Sequence, residues 1–456
     1  MRYEHFIDTP PAVDFILSEI RNRKYESYVV GGAVRDSLLG CKPKDWDIAT
    51  NCDYETLKDI FKDYSPVEIG KAFGVIQVTV NEDKYEIAKY RVDGNYTDSR
   101  RPDEVEFTDS FMEDCRRRDL TINALGYYNG KVVDHFGGYE DLVDKYIQFI
   151  GNADARIKED PLRMLRAIRF AYRHRFTMIF HTEFRIKINA ELIKKIPKER
   201  VRDELNKMLL QDKPSLAIRT MKALGLLQYI MPELDETFGF EQKNKHHDKD
   251  LADHILVALD NTKPILINRL AVLLHDIGKI PCYTIDDKGQ AHFYQHHKVG
   301  ADIAEKMLRR LKYDNKITKV VKALIYDHMA KNEKTGDKAC KRLMVRVGVE
   351  NLDNLFDLLY ADIVAHKPPH NFKALSNLKL ACKRIIEYKE PMGVKDLAIS
   401  GKDLLEIGFE QNKLLGQALN ACLEFVLDLP EKNNKRDLME HIEWLNYDPM
   451  EGTTVL

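Results

Sequence analysis

Nowhere in this chain does an apolar run approach the roughly 20 residues needed to cross a membrane. Its first residues, MRYEHFIDTPPAVDFILSEI, carry acids and prolines where a signal peptide needs a basic start and an apolar stretch. The sequence therefore predicts no membrane association. Close cysteine pairs are missing too. The seven cysteines (Cys41, Cys52, Cys115, Cys282, Cys340, Cys382 and Cys422) are odd in number and scattered. That spacing argues against disulfides and a zinc ribbon, and for reduced thiols in a cytoplasm. There is no convincing internal repeat and no low-complexity tract. A net charge of −2 gives no global sign of nucleic-acid binding. What remains, 44% hydrophobic and 32% charged residues, is an ordinary globular composition. A length of 456 residues suggests about three domains.

The positive charge is clustered. Arg116, Arg117 and Arg118 form one group, and Arg163, Arg166, Arg169 and Arg173 a second. Lys194, Lys195, Lys198, Arg200 and Arg202 form a third. Such blocks serve as solvated faces as readily as they bind RNA. Residues 11–24 read as a helix. Short β-branched segments follow at Tyr28–Val30, Trp46–Ile48, Val75–Val80, Tyr85–Ala88, Val105–Phe107 and Val132–Asp134, separated by turn residues. From about residue 151 the strand signal stops and helical periodicity continues, broken at prolines. The expected class is α+β: a small mixed sheet followed by a long helical body.

Gly31-Gly32-Ala33-Val34-Arg35-Asp36 follows a strand and opens a helix. Paired glycines there let backbone N–H groups approach a phosphate at the positive end of the helix, although the same pair also makes an ordinary tight turn. Downstream comes Asp45-Trp46-Asp47-Ile48. On a strand, alternate residues point to one side, so Asp45 and Asp47 converge. Converging carboxylates repel unless a cation neutralises them, and Mg²⁺ prefers such oxygens together with those of a triphosphate. Two-metal phosphoryl transfer needs this arrangement. Glu86, on a strand over residues 84–88, is the candidate third carboxylate, with a plain exposed strand position as the alternative.

GGAVRD followed by DWDIAT resembles the class II tRNA nucleotidyltransferase and bacterial poly(A) polymerase family. Further runs match in order over about residues 27–210. Arg117–Leu125 (RRDLTINAL) is similar to the family's RRDxTxNAL motif, Glu159–Arg163 to EDxxR, and Glu199–Glu204 to ERxxxE. Tyr96–Asp103 is similar to the flexible loop, with Arg100 and Arg101, that enables the final A addition. The resemblance implies a polymerase-β-like head over residues 1–150, then a helical neck and body over 151–240. It implies that Gly31, Gly32 and Arg35 hold the triphosphate, with Mg²⁺ on Asp45 and Asp47. Arg118 and Asp119 would hold the ribose, with Asn123 and Arg166 in the same nucleotide set. The implied partners are the tRNA 3′ end, CTP and ATP. The signature that follows the head in the poly(A) branch is not found, which favours CCA addition over poly(A) synthesis.

Base choice has a physical reading. Asp160 and Arg163, at i and i+3, are expected on one helix face, where an acceptor and a donor mimic a Watson–Crick partner. Cytosine and adenine both present an amine beside a ring-nitrogen acceptor, whereas guanine and uracil set a carbonyl against Asp160. A buried unpaired carboxylate costs a few kcal/mol, enough to reject them. Glu159 is placed to orient Arg163. Arg163, Arg166, Arg169 and Arg173 lie within an arc of roughly 120° on a helix and are expected to continue onto the primer backbone.

Leu273-Leu274-His275-Asp276-Ile277-Gly278-Lys279 is the second signal. With His254 upstream and His296, His328 and Asp362 downstream, the order resembles the HD-superfamily phosphohydrolases. The resemblance implies an HD domain over residues 241–370 and phosphatase or 2′,3′-cyclic phosphodiesterase activity. Mixed imidazole and carboxylate ligation suits Mn²⁺, Fe²⁺, Ni²⁺ or Co²⁺. Lys279 is placed to balance a bound phosphate. Gln295-His296-His297 departs from the family's GHE-like triplet, so the choice between the two histidines stays open. Residues 371–456 are similar to a helical tail directed at the tRNA elbow. The sequence does not fix the oligomeric state.

Overall fold

The computed structural model describes residues 1–70, 74–94, 105–242, 250–330 and 336–445. The chain divides into two compact units, Met1–Asp235 and Glu236–Leu456. The expected loop arginines Arg100 and Arg101 lie outside the described residues.

The first unit is built on strands β1 (Arg2–Glu4), β2 (Ser27–Val30), β3 (Ile48–Thr50), β4 (Val67–Gly70), β5 (Val75–Val80), β6 (Asp83–Lys89), β7 (Arg91–Asp93), β8 (Val105–Phe107), β9 (Gly126–Tyr128) and β10 (Lys131–Val133). Eight of them form one sheet in the order β1-β10-β9-β2-β3-β6-β5-β4. Neighbours run antiparallel except β3 and β6, which pair in parallel with Ile48 opposite Ile87. Val105–Phe107, expected to join this sheet, pairs instead with Arg91–Asp93 in a two-stranded ribbon. On β5 burial alternates strictly, Ile76, Val78 and Val80 facing in, which is why its sequence pattern is so clear. Tyr28, Val30, Ala49, Tyr90, Phe111, Cys115, Ala124, Val133 and Ile150 form a common core cluster.

Several helices begin where the sequence supplies a side-chain acceptor for a first-turn N–H group. Ser110 accepts from Glu113, Asn152 from Ala155, Asp250 from Asp253 and Asp314 from Ile317. The strand signal does not stop wholly at residue 151. Tyr146–Ile147 pairs with Thr177–Met178, and Thr284–Ile285 with Ala291–His292. Two-residue strands are too short to show a period of two. In the second unit the helices are Leu251–Asp260, Leu266–Leu274, His296–Arg310, Asn315–Asp327, Asp337–Val347, Leu352–Ala365 and Lys373–Glu387, then tail elements that include Lys413–Asp428. Those tail elements gather Ile399, Leu404, Phe409, Ala418, Leu419, Cys422, Val426, Leu438 and Ile442 into a separate core cluster.

One contact fixes how tightly the head packs. A Cβ on Gly138 would stand 2.1 Å from the backbone oxygen of Thr121, which cannot swing aside as a side chain can. Gly138→Ala is expected to lower the stability of the first unit by about 1–3 kcal/mol, read from its calorimetric transition; an unchanged transition would refute this packing.

Candidate active sites

The sheet brings its chemistry to one cavity of about 640 Å³, lined by Gly31, Gly32, Arg35, Asp45, Asp47, Arg117, Arg118, Asp119, Asn123, Asp160, Arg163, Arg166 and Arg200 among others. Gly31 has φ of +68°, and a Cβ there would lie 3.0 Å from Arg118 Nη1, so the turn after β2 needs glycine on both counts. Asp45-Trp46-Asp47 is not on a strand as expected. It is irregular chain immediately before β3, which starts at Ile48. Strand alternation therefore is not what aims Asp45 and Asp47; the exit of the chain into the cavity does that. Asp47 is open to solvent at its edge but crowded by protein. Loss of hydration raises its carboxyl above the ordinary value, and the negative charges of Glu86 and Asp45 add to this against Arg118. Glu86 sits on β6, paired in parallel with β3, one residue before Ile48's partner. Three mutually repelling carboxylates on adjacent segments are a donor set that fits a hard divalent cation.

Most of the nucleotide set is held by neighbours. Asp119 Oδ1 accepts from Leu120 N at 2.8 Å and from Asn123 Nδ2 at 3.0 Å, and Oδ2 accepts from Arg166 Nε at 2.6 Å. Burial alone would raise this carboxyl, but Arg166 and these hydrogen bonds override it and hold it far below the usual range. Arg35 donates to Asp36 and to the Asn123 side-chain oxygen. Arg117 and Arg118 both pair with buried Asp114, at 2.8 and 3.1 Å. Asp114 was not singled out from sequence; its only signal is the i, i+3 and i, i+4 spacing to those arginines.

The EDxxR run does not share one helix face. The helix Ala153–Glu159 ends at Asp160, whose φ of −144° is extended, and the next helix is Leu162–His174. Pro161 explains the break, because the residue before proline avoids the helical region. Asp160 and Arg163 both line the cavity but are held separately. Asp160 is gripped by Arg200 with Nη2···Oδ2 at 2.8 Å, and Arg163 donates to Glu159 at 2.6 Å and to the Arg117 carbonyl at 3.0 Å. The four arginines of Leu162–His174 all form internal ion pairs, with Glu159, Asp119, Glu204 and Asp36 in turn. Each pair ties this helix to another segment of the unit.

The second unit carries the other site. His254, His275, Asp276, His296, His328 and Asp362 are all buried and come together. The histidine–aspartate pair lies at a helix end, where Leu266–Leu274 gives way to a 3-10 turn at Ile277–Lys279. Adjacent residues inside a helix diverge by about 100°, so leaving the helix is what lets both side chains point inward. Gly278 permits this: a Cβ there would meet the His296 backbone oxygen at 2.2 Å. His275, His296 and His328 each donate from Nδ1 to the carbonyl three residues back, Val272, Phe293 and Ile325, at 2.6–2.8 Å. Their Nε2 atoms are thereby aimed into the cluster. His296 is the inward histidine. His297 lies against Tyr326 instead, with ring centroids 5.7 Å apart.

Asp276 stands between two groups. Its Oδ2 is 3.4 Å from His254 Nε2 and 3.2 Å from His275 Nε2, and its Oδ1 is 3.5 and 3.7 Å from Nε2 of His296 and His328. His296 and His328 face each other Nε2 to Nε2 at 3.2 Å with both Nδ1 atoms donating elsewhere. Neutral rings so fixed present lone pairs to one another. Among the described residues, the buried His275 Nε2 makes no hydrogen bond. This buried set of imidazole nitrogens and carboxylate oxygens is a donor chemistry that fits a divalent cation. Burial opposes charge on His275, but Asp276 outweighs it and pushes the imidazole up to about 10. Lys279 Nζ lies 2.7 Å from Asp276 and donates to Gln242 at 2.9 Å. His366, overlooked in the sequence, lies four residues after Asp362, and its ring packs edge-on to His254 at 4.9 Å. The cavity above, about 270 Å³, is walled by His292, Phe293, Tyr294 and Met329.

Three family models match in the order of this architecture: the Poly A polymerase head domain over residues 27–148, the probable RNA and SrmB-binding site of polymerase A over 175–238, and the HD domain over 249–367. The CCA-adding enzyme of Levilactobacillus brevis is 37% identical over 243 residues, 53% of this chain and 61% of that protein, so the chain spans less than two thirds of this relative. The CCA-adding enzyme of Bacillus velezensis is 31% identical over 435 residues, 94% of this chain and 96% of its own length. The chain belongs to the CCA-adding enzyme family. The crystal structure of the Bacillus stearothermophilus CCA-adding enzyme in complex with CTP superposes with a TM-score of 0.71 at 25% identity, covering 96% of this chain and 98% of that one. The mixed α+β class with a polymerase-β-like head sheet and a helical HD domain is that of this family. Among the described residues, no helix is long and apolar enough to cross a membrane.

One electrostatic constraint in the head is the buried Asp119. A carboxyl depressed on folding contributes stability above its unfolded value, about 4, and loses that contribution as the pH falls through and below it. The first unit is therefore expected to weaken below about pH 4, and Asp119→Asn to flatten that part of a melting temperature–pH profile. An unaltered slope would show that other carboxylates carry it.

Proposed function

We propose that this chain adds CMP and AMP to the 3′ end of tRNA from CTP and ATP, releasing pyrophosphate. One observation carries the reading: a single cavity collects the paired aspartates, the Gly31-Gly32 turn, Arg118 with Asp119, and Asp160 with Arg163. The RNA 3′-OH attacks the α-phosphate and the bond to the pyrophosphate breaks. Asp45 and Asp47, with Glu86 beside them, would hold Mg²⁺. Bound there, the metal supplies charge to the attacking hydroxyl and to the leaving group. Gly31, Gly32 and Arg35 face the triphosphate, and Arg118 and Asp119 the ribose.

Asp160 and Arg163 read the base without a template. Among the described residues, Asp160 Oδ1 already accepts from Arg200 and from Leu162 N, whereas Oδ2 accepts from Arg200 alone and has a lone pair left for an exocyclic amine. Arg163 is steadied by Glu159 and offers its remaining N–H to a ring nitrogen. A guanine or uracil carbonyl would face Asp160 instead and be rejected. CTP in the relative of known structure supports this use of the pocket. We assign four domains: head 1–150, neck and body 151–240, HD domain 241–370, and a tail 371–456 toward the tRNA elbow. The seven free thiols support a cytoplasmic setting.

The HD cluster supports a second activity, hydrolysis of a phosphate ester or 2′,3′-cyclic phosphate. His254, His275, Asp276, His296, His328 and Asp362 would hold Mn²⁺, Fe²⁺, Ni²⁺ or Co²⁺, with Lys279 near the phosphate. Bound metal would supply an activated water.

Asp47→Asn is expected to cut CMP incorporation into tRNA lacking its 3′ end by about a thousandfold or more. The wild-type product, sized on a sequencing gel, should stop after two C and one A; long A-tails would place the chain with the poly(A) polymerases. His275→Ala should abolish Mn²⁺-dependent hydrolysis of a 2′,3′-cyclic nucleotide while incorporation continues, and hydrolysis surviving this change would remove the HD assignment.

A further inference from the structure

Behind the proposed ribose contact runs a chain of buried polar groups, each with its hydrogen-bonding direction set by the one before. Asp36 is 6% exposed and accepts through Oδ1 from Arg35 Nε at 2.8 Å and Nη2 at 2.6 Å. Its Oδ2 accepts from Arg173 Nη2 at 2.9 Å. Arg35, gripped along one edge, donates from Nη1 to the side-chain oxygen of Asn123. A guanidinium can only donate, so this bond fixes which end of the Asn123 amide is the oxygen. The amide nitrogen is then forced toward Asp119, where it donates to Oδ1 at 3.0 Å. Leu120 N donates to the same atom at 2.8 Å, which fills it. Among the described residues Oδ2 accepts from Arg166 alone and keeps one lone pair. Asp119 lines the cavity, so that lone pair is the carboxylate's remaining place for a sugar hydroxyl.

We propose that Asp36 is a positioning residue for sugar selection, acting through Arg35 and Asn123 to present Asp119 Oδ2 to the ribose 2′-OH. This rests on the reading of Asp119 as the ribose contact. The base-reading pair is anchored independently: Asp160 by Arg200, and Arg163 by Glu159 and the Arg117 carbonyl. None of these bonds involves Asp36, Arg35 or Asn123. Loss of Asp36 therefore loosens sugar choice and leaves base choice intact.

The test measures kcat/KM on the full chain for CTP, dCTP and UTP in wild type, Asp36→Asn, Asn123→Ala and Asp119→Asn, with thermal unfolding of each. Asn123→Ala cuts the same relay without leaving a buried cation unpaired, and so covers the case in which Asp36→Asn does not fold. The CTP over dCTP preference should fall by about tenfold in both relay variants, the scale of one weakened hydrogen bond. The CTP over UTP preference should hold to within about twofold. Sugar and base preference falling together would overturn the proposal, since that is what general distortion of the pocket does. So would an intact sugar preference in the relay variants while Asp119→Asn loses it. If Asp119→Asn itself keeps full sugar preference, the ribose reading of Asp119 fails, and the relay fails with it.

Discussion

The first unit depends on four arginines along one side of the helix Leu162–His174, each clamped by a carboxylate from a different segment. Arg163 takes Glu159 from the preceding helix, and Arg166 takes Asp119 from the loop after Arg118. Arg169 takes Glu204 from Lys198–Leu209, and Arg173 takes Asp36 from Gly32–Leu38. Arg169 and Glu204 are both nearly sealed from water, at 2.6 Å. Removing one partner of so buried a pair leaves an uncompensated charge at a cost of about 3–5 kcal/mol, although the intact pair gains far less over an apolar substitute. What such pairs supply is geometry. A helix fixed at four points by directional bonds has one position over the sheet, and the cavity inherits that position through Arg163 and Arg166.

The HD cluster reaches the same end with different chemistry. Its directional bonds are three imidazole Nδ1 donations to carbonyls one turn back on the same chain. They need no partner from elsewhere, so each histidine is aimed as soon as its helix forms. Four or more polar groups can then be buried together because their repulsion is met by protons or cations rather than by water. The ammonium of Lys279, 2.7 Å from Asp276, is one such cation within the protein itself.

Much of this was legible in the sequence. β5 alternates cleanly because one face is buried, and the ordered motifs gave the class and named many of the residues that line the two cavities. What sequence could not give was the company each residue keeps. Arg166 and Arg169 read as an open basic stripe because spacing shows that they share a side but not that Asp119 and Glu204 come from far along the chain to meet them. Asp114 and His366 went unnoticed for a related reason: a carboxylate near arginines, or one more histidine, signifies only once the neighbours are known. β1, β4 and β9, three or four residues each, are set by pairing rather than by pattern.

The misplacements share a cause that bears on function. Asp45 and Asp47 precede their strand, Asp160 sits between two helices, and His275 with Asp276 lies where one ends. His296 opens a helix, and His328 and His366 follow the last residues of theirs. A helix interior turns successive side chains about 100° apart, and a strand sends them to opposite faces. Neither can bring adjacent residues to one point. Convergence of His275 with Asp276 needs the backbone to leave its regular path, and the end of a helix is where it can do so at least cost in hydrogen bonds. Regular segments supply the rigidity and their ends supply the chemistry, as Pro161 shows most directly. By stopping one helix, it turns Asp160 toward Arg200 and lets the next helix start with Arg163 facing the cavity.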